Sequence, residues 1–139
     1  MADIALTAAQ IGVAFPEKAE IYDFIAAATI TAGQVVYLTS AGKVDLADAN
    51  GSSATLQVRG IALTGAGAGQ GLSVLKRGHC YGFTLSQAYD AALFLSNTAG
   101  AMADSAGGTS VNVGRVVALP DNSLTKVAYI DADWLRTWA

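Results

Sequence analysis

Short hydrophobic runs, separated by clusters of Gly, Asn, Asp and Ser, follow one another along the chain after residue 24. They recur at intervals of roughly 8 to 15 residues, close to the spacing typical of β-sandwiches and β-barrels. Short apolar or alternating runs that are bounded by such turn residues favour strands. The predicted strands cover residues 24–30, 34–39, 43–46, 55–64, 72–77, 80–85, 93–96, 110–119 and 124–131.

The alternation of apolar and polar residues changes phase inside the predicted strand 55–64. Before Gly60 the apolar residues stand at even-numbered positions, and after it they stand at odd-numbered ones. One extra residue in a strand produces such a slip, and glycine is common at that place. The pattern therefore predicts a β-bulge at Gly60.

The two ends of the chain differ from the middle. Residues 1–23 show no clear apolar stripe and are broken by Gly12 and Pro16, which predicts an N-terminal arm or lead-in segment before a barrel domain at 24–139. A covering strand on the same domain is the alternative for this segment. At the other end, residues 131–138 are compatible with one helical turn, because an Asp stands near the start.

An internal repeat organises the predicted strands. Residues 34–49 resemble residues 92–106, since each copy has an apolar run, an Ala-Gly turn, a short second run and then Asp and Ala. The two copies lie roughly 55–58 positions apart, which is long for a solenoid period. Two four-strand halves that pair with each other leave few exposed edges. We therefore predict an all-β, compact barrel-like body with an internal two-fold repeat.

Charge and composition narrow the possible partners. Only 14% of the residues are charged and the net charge is −3, whereas roughly 25% is usual for a soluble domain. A nucleic-acid-binding surface would need a basic patch, so no nucleic-acid partner is expected. The chain has no apolar run of the ~20 residues that a membrane helix needs and no basic leader, so we expect no membrane partner and synthesis in the cytoplasm. The low charge suggests a surface that faces other protein.

Candidate catalytic and ligand-binding residues are few, and none forms a recognisable site. His79 and Cys80 would point to opposite faces of a strand and cannot act together. The glycine-rich stretch 65–71 lacks the lysine and spacing of a phosphate-binding loop. The acidic residues do not follow the spacing of a calcium loop. We therefore predict a protein that is not an enzyme, with no cofactor and no metal.

Both tryptophans, Trp134 and Trp138, lie in the last six residues of the chain. They have two interpretations, either docking onto their own barrel or anchoring the chain in a partner subunit, where Trp and Arg are enriched. The residues predicted for an interface are Phe15, Tyr22, Phe24, Trp134, Arg136 and Trp138.

Seven stretches within residues 24–131 share a pattern of strands and glycines rather than of catalytic residues. They are Gly-Gln-Val-Val-Tyr-Leu at 33–38, Ala-Gly-Lys-Val at 41–44, Val-Arg-Gly-Ile-Ala at 58–62, Gly-Gln-Gly-Leu-Ser-Val-Leu-Lys-Arg-Gly at 69–78, Ala-Leu-Phe-Leu at 92–95, Ala-Gly-Ala-Met at 99–102 and Val-Gly-Arg-Val at 113–116. This repeated pattern resembles the capsid decoration, or cement, proteins of tailed bacteriophages.

The resemblance implies a β-tulip-like body that forms a homotrimer on the outer surface of the virion. Such a trimer would cement neighbouring major capsid protein subunits against internal pressure. The alternative function is a carbohydrate- or ligand-binding β module of a phage fibre or surface adhesin. The five tyrosines are scattered along the chain, which weakens that alternative.

Overall fold

A computed structural model describes residues 2–138 of the chain. Within this part the chain forms ten β-strands and three short 3-10 turns, at Ala8–Gln10, Pro16–Lys18 and Ser53–Leu56. The fold is all-β, as predicted. The strands are β1 (Gly12–Val13), β2 (Glu20–Ile25), β3 (Val35–Leu38), β4 (Val44–Leu46), β5 (Val58–Ala62), β6 (Gly71–Tyr81), β7 (Ala92–Leu95), β8 (Met102–Ala103), β9 (Asn112–Ala118) and β10 (Lys126–Asp131).

The strands form one curled antiparallel sheet, a half-barrel with the order β4-β3-β5-β6-β10-β9-β7-β8. The long strand β6 also pairs with β1 and β2. Because β2 and β5 both pair with Val74 and Leu75, they must lie on opposite edges of β6. Strand β6 is therefore the centre of the sheet.

The strand order is symmetrical about the β6–β10 pair. The β3–β4 hairpin lies beside β5 and β6, as the β7–β8 hairpin lies beside β9 and β10. The register also shifts at matching places, after Val36 opposite Gly60 and after Leu93 opposite Gly114. The first shift confirms the predicted bulge at Gly60. This arrangement agrees with the predicted repeat, which itself stays a prediction.

Backbone hydrogen bonds join the two hairpins at the ends of this strand order. The Val35 N–H donates to the Gly100 carbonyl (2.9 Å), and the Gly100 N–H donates to the Ala47 carbonyl (2.8 Å). The Ala49 N–H donates to the Ser96 carbonyl (2.9 Å). These bonds satisfy polar groups that would otherwise be left at exposed edges.

The first half of the sheet is covered on both faces, so alternate residues of β3 and β6 enter different cores. Val35 and Leu75 belong to the main core, while Val36 and Val74 belong to a second, smaller one. Ala26, Ile30 and Ala66, from the loops before β3 and after β5, cover the second core. This double burial explains the continuous apolar runs of the sequence, because a strand buried on both faces does not alternate.

Several predicted elements differ from the observed ones. The predicted strand 24–30 is wrong after Ile25, because Ala26 and Ile30 make only isolated bridges. The predicted strand 55–64 begins only at Val58, after a 3-10 turn. The predicted strand 72–77 and the start of the predicted strand 80–85 are parts of one continuous strand, β6. Gly78 lies inside this strand with a φ of +146°, and strand pairing continues through it. The predicted helical turn in 131–138 is wrong, because this segment follows the surface in irregular form.

The N-terminal segment lies along the body of its own chain. The Ile4 N–H donates to the Met102 carbonyl (2.8 Å), and the Thr7 N–H donates to the Gly82 carbonyl (2.8 Å). Ser96, which is fully buried, donates its hydroxyl proton to the Asp3 carboxylate. Strand β2 crosses the predicted boundary between residues 23 and 24 and continues the sheet.

Candidate functional site

An aromatic cluster, defined here as Tyr22, Phe24, Trp134 and Lys76, lies where the C-terminal segment crosses β2 and β6. The Trp134 ring centroid is 4.8 Å from that of Tyr22 and 6.1 Å from that of Phe24. The Lys76 Nζ lies 4.7 Å from the Trp134 ring centroid, and the indole N–H donates to the Arg59 carbonyl (2.8 Å). In the isolated chain, Trp134 therefore docks onto its own body.

Beside this cluster, β2 presents an open strand edge. Within residues 2–138, β2 pairs with β6 alone, so its other edge has no strand beside it. Ile21, Tyr22 and Ile25 are 42%, 41% and 43% exposed. These three side chains and the strand that carries them are called the β2 edge below. Exposed apolar side chains on an unpaired strand are typical of surfaces that pair with another chain.

The last described residues are fixed by one glutamine. Gln57 accepts a hydrogen bond from the Trp138 N–H (2.9 Å) and donates one to the Trp138 carbonyl (2.8 Å). The Arg136 guanidinium carbon lies 3.9 Å from the centroid of the Trp138 ring, a cation–π contact. Trp138 also packs against the main core.

A groove opens between this tail and the outer face of β6, β10 and β9. It encloses about 390 Å³. Three arginines from three different segments line it, so it is called the arginine groove below. The lining residues are Arg77, Asn112, Gly114, Arg115, Tyr129, Asp131, Asp133, Arg136 and Trp138.

Strand pairing brings these residues together. Arg77 of β6 is opposite Asp131 of β10, and Tyr129 of β10 is opposite Arg115 of β9. Their side chains leave the sheet on its outer face, because residues two apart in a strand share a face. The tail then brings Arg136 to the rim of the groove.

The arginines of the groove are held to different degrees. The Arg77 guanidinium donates to Asp131 (3.1 Å) and to Glu20 (2.7 Å). The hydrogen bond to Asp131, and the negative charges of Asp131 and Glu20, raise the pKa of Arg77. Arg115 donates to the Asp90 carbonyl (2.7 Å), and its nearest carboxylate oxygen is 3.9 Å away. Among residues 2–138, Arg136 forms no ion pair.

Asn112, at the start of β9, supplies an unusual polar atom to the groove. Its side-chain oxygen Oδ1 is buried and accepts no hydrogen bond from any described residue. An acceptor in this state costs roughly 1–3 kcal/mol of desolvation.

His79 and Cys80 lie on opposite faces of β6, as predicted. The His79 ring contacts Phe15 and Tyr129, at centroid distances of 5.0 and 5.1 Å. Burial lowers the pKa of His79, and the charge of Lys18 lowers it further. Burial raises the pKa of the Cys80 thiol to about 11, which removes the thiolate a nucleophile requires. The described residues contain no cluster of three or more metal-ligating side chains.

The six residues predicted for an interface fall into three places. Tyr22, Phe24 and Trp134 meet in the aromatic cluster. Arg136 and Trp138 meet at the rim of the arginine groove. Phe15 stands apart from both groups and packs its ring edge-on against His79.

Sequence reasoning missed Arg77, Arg115, Asn112 and Tyr129. They are distant in the chain, and only the register of β6, β10 and β9 makes them neighbours. The available signal was the position of Arg115 and Tyr129 between buried residues of their strands. That pattern shows that a side chain faces outward but does not show which others it meets.

Comparison of the chain with protein-family models, curated proteins and solved structures finds no match. Within the described residues, no helix has the length and apolar character needed to cross a lipid bilayer.

Proposed function

We propose that this chain is a structural virion protein of a tailed bacteriophage. It would bind the outer surface of the capsid as a homotrimer and hold neighbouring major capsid protein subunits together, after synthesis in the host cytoplasm. The resemblance of residues 24–131 to capsid decoration proteins, the all-β fold and the low content of charge support this proposal.

The observation that carries the proposal is the β2 edge. It combines unpaired backbone groups with three apolar side chains that are more than two-fifths exposed. Burying such a surface against another chain is favourable by roughly 25 cal/mol for each Å² of apolar area. Tyr22 belongs to both this edge and the aromatic cluster, so the two lie side by side, with Ile21 and Ile25 on the opposite face of the strand from Tyr22.

A cement protein works by mass action over many copies. Each copy that binds across a seam between shell subunits stabilises the joined state relative to the separated one. Individual contacts of moderate size are sufficient, because the shell contains many equivalent seams. The proposal therefore requires binding and association, and it requires no reaction.

The oligomeric state and capsid binding test the proposal. Light scattering is expected to give three times the mass of one chain, in solution or on capsids. Shells stripped of this protein are expected to take it up again, as measured by co-sedimentation and cryo-electron microscopy. The double substitution Ile21→Lys, Ile25→Lys should abolish uptake or trimer formation.

The matched control is Leu124→Lys, which adds a charge at another exposed apolar position, in the turn before β10. It should behave as the unmodified chain does. A chain that stays monomeric and never binds shells would contradict the proposal.

The alternative, a carbohydrate-binding module, is less well supported by the aromatic residues. Sugars stack on open aromatic faces, whereas the partly exposed rings of Tyr22 and Tyr89 contact Trp134 and Lys126, and Trp138 contacts Arg136.

A further inference from the structure

We infer that Asn50 is a site of covalent self-modification, at which its side-chain amide reacts with the backbone nitrogen of Gly51 and is converted to aspartate or isoaspartate. The chain contains four asparagines, at positions 50, 97, 112 and 122. Three conditions favour the reaction, namely access of water, a side-chain amide that no hydrogen bond holds, and an unhindered nitrogen in the next residue. Asn50 combines all three, and the inference does not depend on the proposed capsid role.

The reaction needs only water and groups that the chain itself supplies. The Gly51 nitrogen attacks the side-chain carbonyl carbon Cγ of Asn50, and the new C–N bond closes a five-membered succinimide ring. The amide nitrogen of Asn50 leaves as ammonia, together with the proton that the Gly51 nitrogen gives up. Water then opens the ring. Its attack at Cγ gives aspartate, whereas attack at the backbone carbonyl gives isoaspartate, in which the main chain runs through Cγ.

The Asn50 side chain is open to solvent and unrestrained. Asn50 is exposed and lies in the turn between β4 and the 3-10 turn Ser53–Leu56. Its backbone N–H donates to the Asp48 carboxylate (2.8 Å), but within residues 2–138 its side-chain amide forms no hydrogen bond. The side chain can therefore change rotamer until Cγ approaches the next backbone nitrogen.

Gly51 leaves that nitrogen accessible. Glycine has no Cβ beside the nitrogen and has the widest backbone freedom of any residue, so the ring closes with the least steric resistance. The Gly51 N–H donates to the Asp48 carbonyl at 3.4 Å, beyond the range of about 2.7–3.2 Å that such hydrogen bonds usually have. Since this bond is weak, little is lost when the nitrogen gives up its proton.

Each of the other three asparagines lacks at least one condition. The Oδ1 of Asn97 accepts a backbone N–H (2.7 Å), which holds its side chain in place. Asn112 is partly buried in β9 and precedes Val113, whose branched side chain hinders the attacking nitrogen. Asn122 is exposed but precedes a serine. Asn122 is therefore the comparison that isolates the contribution of Gly51.

The modification falls where the two hairpins are joined. Ala49, the residue before Asn50, donates to the Ser96 carbonyl (2.9 Å) and accepts the Thr109 N–H (3.1 Å). Isoaspartate adds one carbon to the main chain next to Ala49, and either product places a second negative charge near Asp48. We therefore expect the modified chain to hold this junction less firmly than the unmodified chain.

Peptide mapping by mass spectrometry tests the inference on the full chain, incubated at mildly alkaline pH. Trypsin releases residues 44–59 as one peptide, in which Asn50 is the only asparagine. This peptide should give two new species, aspartate and isoaspartate, both heavier by the exchange of NH for O. Their formation should accelerate as the pH rises, because the attacking nitrogen must lose a proton. Hydroxylamine should cleave the chain after residue 50 while the succinimide is present.

Variants separate the contributions of the two residues. Asn50→Gln should abolish both products, because its ring would need six members, and the matched control Asn122→Gln should leave the rate at Asn50 unchanged. A Cβ on Gly51 would overlap the Thr55 hydroxyl, so the informative variant is Gly51→Ala combined with Thr55→Ala. It should react about tenfold more slowly than Thr55→Ala alone, because a methyl group then hinders the nitrogen.

Three outcomes would overturn the inference. An unchanged Asn50, over a period in which a free peptide of residues 48–53 is converted, would show that the folded turn protects the side chain. Conversion of Asn122 as fast as that of Asn50 would remove the role assigned to Gly51. Formation of aspartate without isoaspartate would indicate direct hydrolysis of the amide rather than a succinimide.

Discussion

Two glycines, Gly60 and Gly114, stand at matching places in the two halves of the sheet. A Cβ atom on Gly60 would overlap the Leu75 carbonyl, and one on Gly114 would overlap the Tyr129 carbonyl. In both cases the overlapping atom belongs to the backbone, which cannot relieve the overlap by changing rotamer as a side chain can. The close approach of β5 to β6, and of β9 to β10, thus depends on the absence of a side chain at one residue in each half.

Replacing either glycine by alanine should destabilise the protein. We expect Gly60→Ala and Gly114→Ala each to lower the free energy of unfolding by about 1–3 kcal/mol, because the strands must move apart to admit a methyl group. Gly12→Ala is the control, since a Cβ there would contact nothing within 4 Å. It should change stability by less than about 0.5 kcal/mol. Urea denaturation measures the stability of all three variants. Equal denaturation midpoints would show that the strands can admit a methyl group without moving apart.

Among the elements, strand pairs that are close in sequence were the easiest to predict. The β3–β4 and β7–β8 hairpins follow from their apolar runs and Ala-Gly turns, and the bulge at Gly60 follows from the change of phase. The sequence pattern predicted a strand at 24–30, whereas β2 begins earlier in the chain, because the exposed residues of β2 show no apolar alternation. Its position is fixed by pairing with β6, some fifty residues further along the chain.

The C-terminal segment was harder still to predict. An Asp near its start indicated one helical turn, but the two tryptophans instead bond to Arg59 of β5 and to Gln57 just before that strand. Trp134 reaches the Arg59 carbonyl, and Trp138 pairs with Gln57. The tertiary contacts of large aromatic side chains outweigh the weak helical propensity of a short terminal segment.

The two hydrogen bonds between Gln57 and Trp138 predict that a substitution of Gln57 makes the C-terminal segment more sensitive to protease. Gln57→Ala removes both hydrogen bonds to Trp138, a loss of roughly 1–2 kcal/mol that favours opening of the tail alone. Trypsin should then cleave after Arg136 about five- to thirtyfold faster, as mass spectrometry of the shortened chain would show. The control is Gln10→Ala, at an exposed glutamine far from the tail in sequence. Unchanged cleavage in Gln57→Ala would mean that Trp138 packing alone holds the tail.

At the scale of the whole molecule, the arginine groove depends on how the two halves are joined. Strand β10 lies between β6 of the first half and β9 of the second, and the groove spans all three. The composition of the sequence indicated a surface that faces other protein, yet it did not indicate where. Locating those surfaces required pairings between residues more than thirty positions apart.

The same join means that the main core is complete in neither half. The main core mixes Ile61 and Leu75 from the first half with Leu95, Val116 and Ile130 from the second. The first residues of the chain also reach across, since Ile4 bonds to Met102. A half by itself would leave one edge of β6 or β10 unpaired and its apolar face open to water. A unit of this size buries too little surface to be more than marginally stable.

A chain divided in the segment between β6 and β7 should therefore fold only when both pieces are present. We expect fragments 1–85 and 86–139 to lack dispersed NMR signals and a cooperative unfolding transition when each is alone. Mixed in equal amounts they should regain both, because β6 and β10 can then pair and the shared core can close. A chain cut instead at the exposed residues 68–70 of the glycine-rich loop serves as the comparison, since it separates β5 from β6 within the first half. Independent folding of either fragment 1–85 or 86–139 would contradict the shared core, and would make each half a domain of its own.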